Sequence, residues 1–194
     1  MIRLLAAVIL ALGLAACANV PPSRPTFPQL TYAHLGTMTF DAGRLEVVNE
    51  YQPPMMAPNV EHTAPLSPAE AGLQWARDRI KMTGQGTRSV RVVVRNARIV
   101  ETDLRKTQGI RGAFTTDQAQ RYEATLEMVV EVRGERGFRD AFATATVERS
   151  TTVPENITLN DRDKVLFSLV EDLMKDLNNQ LEGNIRNFLS TYLR

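Results

Sequence analysis

Leu45-Glu46-Val47-Val48-Asn49-Glu50-Tyr51 alternates apolar and polar positions, with Leu45, Val47 and Tyr51 on one side. That is the period of a half-buried strand. A shorter extended piece, residues 37–41, precedes it. Val90, Val92 and Val94 alternate with Arg91 and Arg95 and predict a second strand over 88–103. Its phase weakens at Asn96 and returns at Ile99, as an inserted residue would make it do. The clearest alternation runs from 121 to 133. Tyr122, Ala124, Leu126, Met128, Val130 and Val132 point one way; Arg121, Glu123, Thr125, Glu127, Glu131 and Arg133 form a polar outer face. Gly134-Glu135-Arg136-Gly137 turns the chain into an antiparallel strand over 138–151. Its inward residues Ala141, Ala143, Ala145 and Val147 are small enough to let a helix come close.

Two helices complete the pattern. Ser67-Pro68-Ala69-Glu70 supplies a cap, a proline whose missing N–H costs nothing at the first position, and the glutamate of a capping box. Leu73, Ala76 and Ile80 then recur at helical spacing, and Gly84 and Gly86 stop a helix over 68–83. Asn160 is the expected cap of the last helix, with Asp161 and Asp163 favourable to its dipole. Leu166, Val170, Leu173, Leu177, Leu181, Ile185, Phe188 and Tyr192 hold one stripe along it. Gly183 is a point where it could kink, and its end could project toward a partner. The order β-α-β-β-β-α predicts an α+β two-layer sandwich. A mixed, mostly antiparallel sheet carries two helices on one face, and the first β-α-β step is a parallel crossover.

The N-terminus has a different pattern. Met1-Ile2-Arg3 leads into an unbroken apolar run from Leu4 to Ala16, followed by Cys17. The run is too short to span a bilayer, which takes ~20 residues, and has the layout of a secretory signal. Leu14-Ala15-Ala16-Cys17 resembles the bacterial lipobox. The resemblance implies cleavage before Cys17 and a diacylglycerol thioether on it, which also disposes of the chain's one free thiol. Ala18 and Asn19 follow, not the aspartate that retains such proteins in the inner membrane. The resemblance therefore implies a Gram-negative outer membrane, with the domain lipid-anchored at its periplasmic face. Three segments follow: a signal peptide over 1–16, an anchored tether over 17–35 with prolines at 21, 22, 25 and 28, and a single domain over 36–194.

Composition narrows the function classes. The 194 residues carry 23 Lys+Arg against 22 Asp+Glu, and loss of Arg3 with the signal leaves the mature chain formally neutral. Bulk charge therefore does not recommend a nucleic-acid binder. One cysteine and two histidines exclude a thiolate or histidine-rich metal site, so no metal and no cofactor beyond the acyl anchor is expected. No catalytic residue is assigned and no enzyme is expected. There is no Gly-x-Ser-x-Gly elbow and no nucleotide motif. Glu61-His62 as a general-base pair, or the Glu123, Glu127 and Glu131 row as paired carboxylates, is the minor alternative of a hydrolase.

Binding is the larger expectation, and two loops carry it. Residues 103–120 join two strands that a short turn could join, and place Arg105, Lys106 and Arg111 beside Ile110 and Phe114. Residues 52–62 place Met55 and Met56 between prolines, and exposed methionine adapts to partner surfaces. An envelope protein is the expected partner, and a lipid or small ligand between sheet and long helix the alternative. In element order the domain resembles lipopolysaccharide-assembly lipoproteins and the auxiliary lipoproteins of lipid-trafficking ABC systems. The tether after Cys17 departs from the first, which begins at once with a strand. No residue roles carry over from either.

Overall fold

The computed structural model describes residues 26–104 and 118–194. Cys17 and the loop residues Arg105, Lys106, Ile110, Arg111 and Phe114 lie outside them. The elements are β1 (Met38–Phe40), β2 (Arg44–Asn49), α1 (Pro68–Arg79), β3 (Ile80–Met82), β4 (Ser89–Asp103), β5 (Gln118–Arg133), β6 (Arg139–Pro154) and α2 (Leu159–Phe188). The main sheet has the order β2-β4-β5-β6. β2 runs parallel to β4, and the other two pairings are antiparallel. The fold is α+β, with both helices on one face of a mixed sheet and the β2-α1-β4 step a parallel crossover.

Alternation set the register. Tyr122, Ala124, Leu126, Met128, Val130 and Val132 all face inward, at 1% exposure or less. Val90, Val92 and Val94 join them from β4, and the predicted bulge falls between Val94 and Asn96. From the helix side come Trp75, Leu166, Leu173, Leu177 and Leu181, all buried. Each such large side chain removed from water contributes about 1.5–3 kcal/mol. The small face of β6 works as expected. Ala143 and Ala145 are buried under α2, which sits close enough for Asn184 Nδ2 to donate to the Thr144 carbonyl at 2.7 Å. Trp75 Nε1 donates to Asn178 Oδ1 at 2.9 Å, so the contact between the helices is not purely apolar.

Four details differ from expectation. α1 stops at Arg79, not 83, because Ile80–Met82 pairs in parallel with Met38–Phe40 as a separate two-stranded sheet. A strand partner outweighs helical periodicity there. α2 is capped by Thr158, whose hydroxyl accepts from the Asp161 amide at 3.1 Å; Asn160 lies inside the first turn. Gly183 interrupts nothing, since α2 is continuous through Phe188. The end of the stripe does not project. Asp41 N donates to Tyr192 O at 2.8 Å and Arg194 N to Thr39 O at 2.9 Å, which folds the C-terminus back onto β1. Phe188 alone of the stripe is exposed.

The segment read as a tether is part of the domain from Phe27 onward. Phe27 stacks on Phe167, ring centroids 4.9 Å apart. Tyr32 N donates to Asp78 Oδ2 at 2.8 Å, and Tyr32 itself is buried. Arg79, 1% exposed, donates to the carbonyls of Leu35 and Gly36 and forms an ion pair with Glu182. One arginine thereby joins the N-terminal segment, α1 and α2. Among the described residues packing is present from Phe27, ten residues after Cys17, and not only from residue 36.

Candidate functional site

Of the two loops singled out by the sequence, the described one is 52–62. Met55 and Met56 are exposed, at 61% and 67%. Met55 has a φ of +59°, an unusual backbone region for a residue with a side chain. The rest of the loop is built into the sheet. Val60 N donates to Ile99 O and Glu101 N to Pro58 O, both at 2.8 Å, so residues 58–60 continue the edge where β2 has ended. Met55 and Met56 are therefore held at the end of the sheet where β4 finishes.

Beside this edge lies a cleft of about 420 Å³, lined in part by Asn49, Tyr51, Glu61, His62, Ser67 and Leu73. It holds the one pairing that sequence offered for acid–base chemistry. Glu61 is buried, and both its carboxylate oxygens are engaged: Tyr51 OH donates to Oε1 at 2.7 Å and Ile99 N to Oε2 at 3.1 Å. Burial and the Glu61 carboxylate push the Tyr51 phenol well above its ordinary range. His62 is exposed and lines the same cleft. Glu61 thus fastens the loop to β4, and its neighbour shares no hydrogen bond with it among the described residues. Between sheet and helices core side chains fill most of the space expected for a ligand, and a groove of about 340 Å³ opens at its edge, where Arg149 and Thr151 of β6 face Val165 and Leu169 of α2. A second groove, of about 380 Å³, lies outside the core, where Leu30, Tyr32 and His34 meet Met174 and Asn178. The Tyr32 hydroxyl is buried there with no hydrogen-bond partner among the described residues.

Sequence reasoning missed the most concentrated charge in the described molecule. Glu131 belongs to the outer row of β5, read as solvated, yet it is buried at 3% exposure. Arg91 pairs with it across the sheet from β4 and Phe142 from β6. Arg133 donates to Oε2 from Nε at 3.1 Å and from Nη2 at 2.7 Å. Arg91, Arg95 and Arg139 approach the same carboxylate at 4.0, 3.6 and 3.5 Å. Burial alone would raise this carboxyl. The hydrogen bonds from Arg133 and the charges of Arg133, Arg139 and Arg91 outweigh it and hold the group below its usual range. Val93 and Val129, also outward in the alternation, are buried in the adjoining row. The only signal available in the sequence was the density of arginine on the two strands flanking a glutamate. Turning that into a cluster required the cross-strand register.

No protein-family model matches the chain, and no curated protein matches it. Solved structures do resemble it. A Xanthomonas campestris protein of the DUF330 family is similar over 87% of this chain and 92% of that one, at 12% identity and a TM-score of 0.36. A minor lipoprotein from Acinetobacter baumannii is similar over 73% and 94%, at 10% identity and the same TM-score of 0.36. Neither likeness places a residue's role. Among the described residues no helix is long and apolar enough to cross a membrane, and no three His, Cys, Asp or Glu side chains gather as metal ligands.

Proposed function

We propose that this chain is a lipid-anchored, non-catalytic accessory domain at the periplasmic face of a Gram-negative outer membrane. It binds a partner protein in envelope assembly or transport. The observation that carries the reading is the Leu14-Ala15-Ala16-Cys17 run placed ten residues ahead of Phe27, which stacks on Phe167. A binding role is favoured over hydrolysis by the fate of Glu61, whose two oxygens are taken up by Tyr51 and Ile99. Cells fed labelled palmitate test the anchor. The wild-type chain incorporates label and floats with outer-membrane vesicles, and Cys17→Ser does neither. A wild-type chain without label overturns the anchored reading.

A second reading, a small-ligand or lipid binder, is favoured by the Tyr32 hydroxyl, unpartnered among the described residues, beside the 380 Å³ groove. Native mass spectrometry of protein extracted from its own membranes tests it. A retained ligand that Tyr32→Phe releases supports this reading; an empty wild-type protein removes it.

A further inference from the structure

The arginines around Glu131 are not equally employed. Arg133 makes both of its hydrogen bonds to the carboxylate. Arg91 is served from β2 and the residue after it, donating to Glu50 at 2.8 Å with Glu46 at 3.5 Å. Arg95 and Arg139 reach Glu131 only at 3.6 and 3.5 Å, beyond hydrogen-bond length for N–H···O, and make no hydrogen bond among the described residues. Their side chains are 43% and 45% exposed. Glu131 draws two guanidinium forks to one place without saturating either. Each fork carries five N–H donors in a plane that matches a carboxylate bidentately.

Aromatic surface adjoins the forks. The Arg139 guanidinium lies 4.4 Å from the centre of the Phe142 ring, which is 47% exposed, and Phe138 in the hairpin turn is 74% exposed. Arginine and aromatic residues together are the usual anchors of protein–protein contacts. A free phosphate or other small anion would use the forks and leave both rings idle. An acidic polypeptide segment uses both.

We infer that the outer sheet face at Arg95, Arg133, Arg139, Phe138 and Phe142 docks an acidic segment of a partner protein, with Glu131 holding the arginines in place. The inference rests on the partner-binding reading above and supplies the partner's chemistry.

The test uses the acylated full chain in phosphatidylethanolamine/phosphatidylglycerol vesicles. The probe is a fluorescein-labelled peptide of eight glutamates around one leucine, read by anisotropy. At low salt the wild type binds it. Arg95→Gln with Arg139→Gln weakens binding at least tenfold, and Phe142→Ala at least threefold. Lys164→Gln with Lys175→Gln removes the same charge elsewhere and changes binding less than twofold. Equal losses in the two double variants, or none in the first, overturn the inference. So does pyrophosphate competing as well as unlabelled peptide while Phe142→Ala binds normally, the result of a small-anion site. The unacylated Cys17→Ser chain binds the probe as the wild type does, so a failed anchor is told apart from a failed patch. A photocrosslinker at position 142 in intact envelopes separates the remaining case. A crosslink into a segment without acidic residues overturns the acidic docking and leaves the partner-binding reading standing.

Discussion

Arg79 and Glu131 are both buried charges, and their surroundings are opposite. Arg79 is a cation enclosed by acceptors from two distant parts of the chain: the carbonyls of Leu35 and Gly36, and the Glu182 carboxylate. Glu131 is an anion enclosed by donors, and there are more donors than one carboxylate can accept. The first arrangement is nearly closed: its acceptors belong to the fold, its Nε has no partner among the described residues, and Glu182 reaches the surface, where Arg186 donates to its other oxygen at 2.7 Å. The second leaves charge unspent at the surface. A single buried group can thus either seal a structure or present a set of side chains for use, and the balance of partners decides which.

The sharpest way to break this comparison is Arg79→Ala. It leaves Glu182 without its buried partner and loosens the N-terminal segment, which keeps its Tyr32–Asp78 and Phe27–Phe167 contacts to the two helices. The expected loss is about 3–4 kcal/mol, read as a lower urea midpoint. Residues 26–36 should become the first site of proteolysis. Arg79→Lys recovers only part of the loss, because an ammonium cannot reproduce the planar fork that serves two carbonyls and a carboxylate. A loss below about 1 kcal/mol would mean that the clamp behaves like a surface pair, and the contrast with Glu131 would collapse.

Next in size is Glu131→Gln. The amide keeps the shape but leaves the arginines facing one another, at an expected cost of about 2 kcal/mol. The pH dependence sharpens the assignment. The folded-state carboxyl lies below its ordinary value of 4.5. Its contribution is therefore complete above that value and is lost as pH falls through the lower, folded-state one. Wild-type stability should drop more steeply on acidification below pH 4.5 than that of Glu131→Gln, and the two should converge in stronger acid. Parallel curves would show that the arginines do not depend on the carboxylate's charge.

These two sites also show what the sequence made legible. Strand alternation is a local signal. It placed Val90, Tyr122, Leu126 and Ala143 inward, found the bulge near Asn96, and led to the parallel crossover. Long-range partners are not local. Arg79 lies on a helix whose periodicity says nothing about carbonyls 43 and 44 residues away. The prolines after Cys17 suggested an extended tether, although Phe27, Leu30 and Tyr32 were available to pack in the groove between the helices. Glu131 was assigned to a solvated face because alternation distinguishes only two sides. It cannot show that Arg91 and Arg139, from neighbouring strands, meet over the same carboxylate. The Met55-Met56 loop was found because its apolar residues stand between prolines. The function of Glu61 in fastening that loop depended on Tyr51 and Ile99, ten and 38 residues away.

The smallest expected effect is the most discriminating. Arg95 makes one contact with Glu131, at 3.6 Å, from a side chain that is 43% exposed. Its removal in Arg95→Ala leaves Arg133, Arg91 and Arg139 around the carboxylate, so solvent screening and the remaining charges absorb the loss. The stability change should be below about 0.5 kcal/mol, within the spread of ordinary surface substitutions in a denaturant titration. A residue that contributes so little to folding has no structural reason to lie beside a buried carboxylate on a half-covered sheet face. If Arg95→Ala is instead as costly as Glu131→Gln, the cluster is a nearly closed network like that of Arg79, and its arginines are held by the fold with none to spare. If the fold tolerates the change while the acidic peptide loses its grip, the two properties separate at one side chain. The surplus of arginine around Glu131 is then a surface for binding.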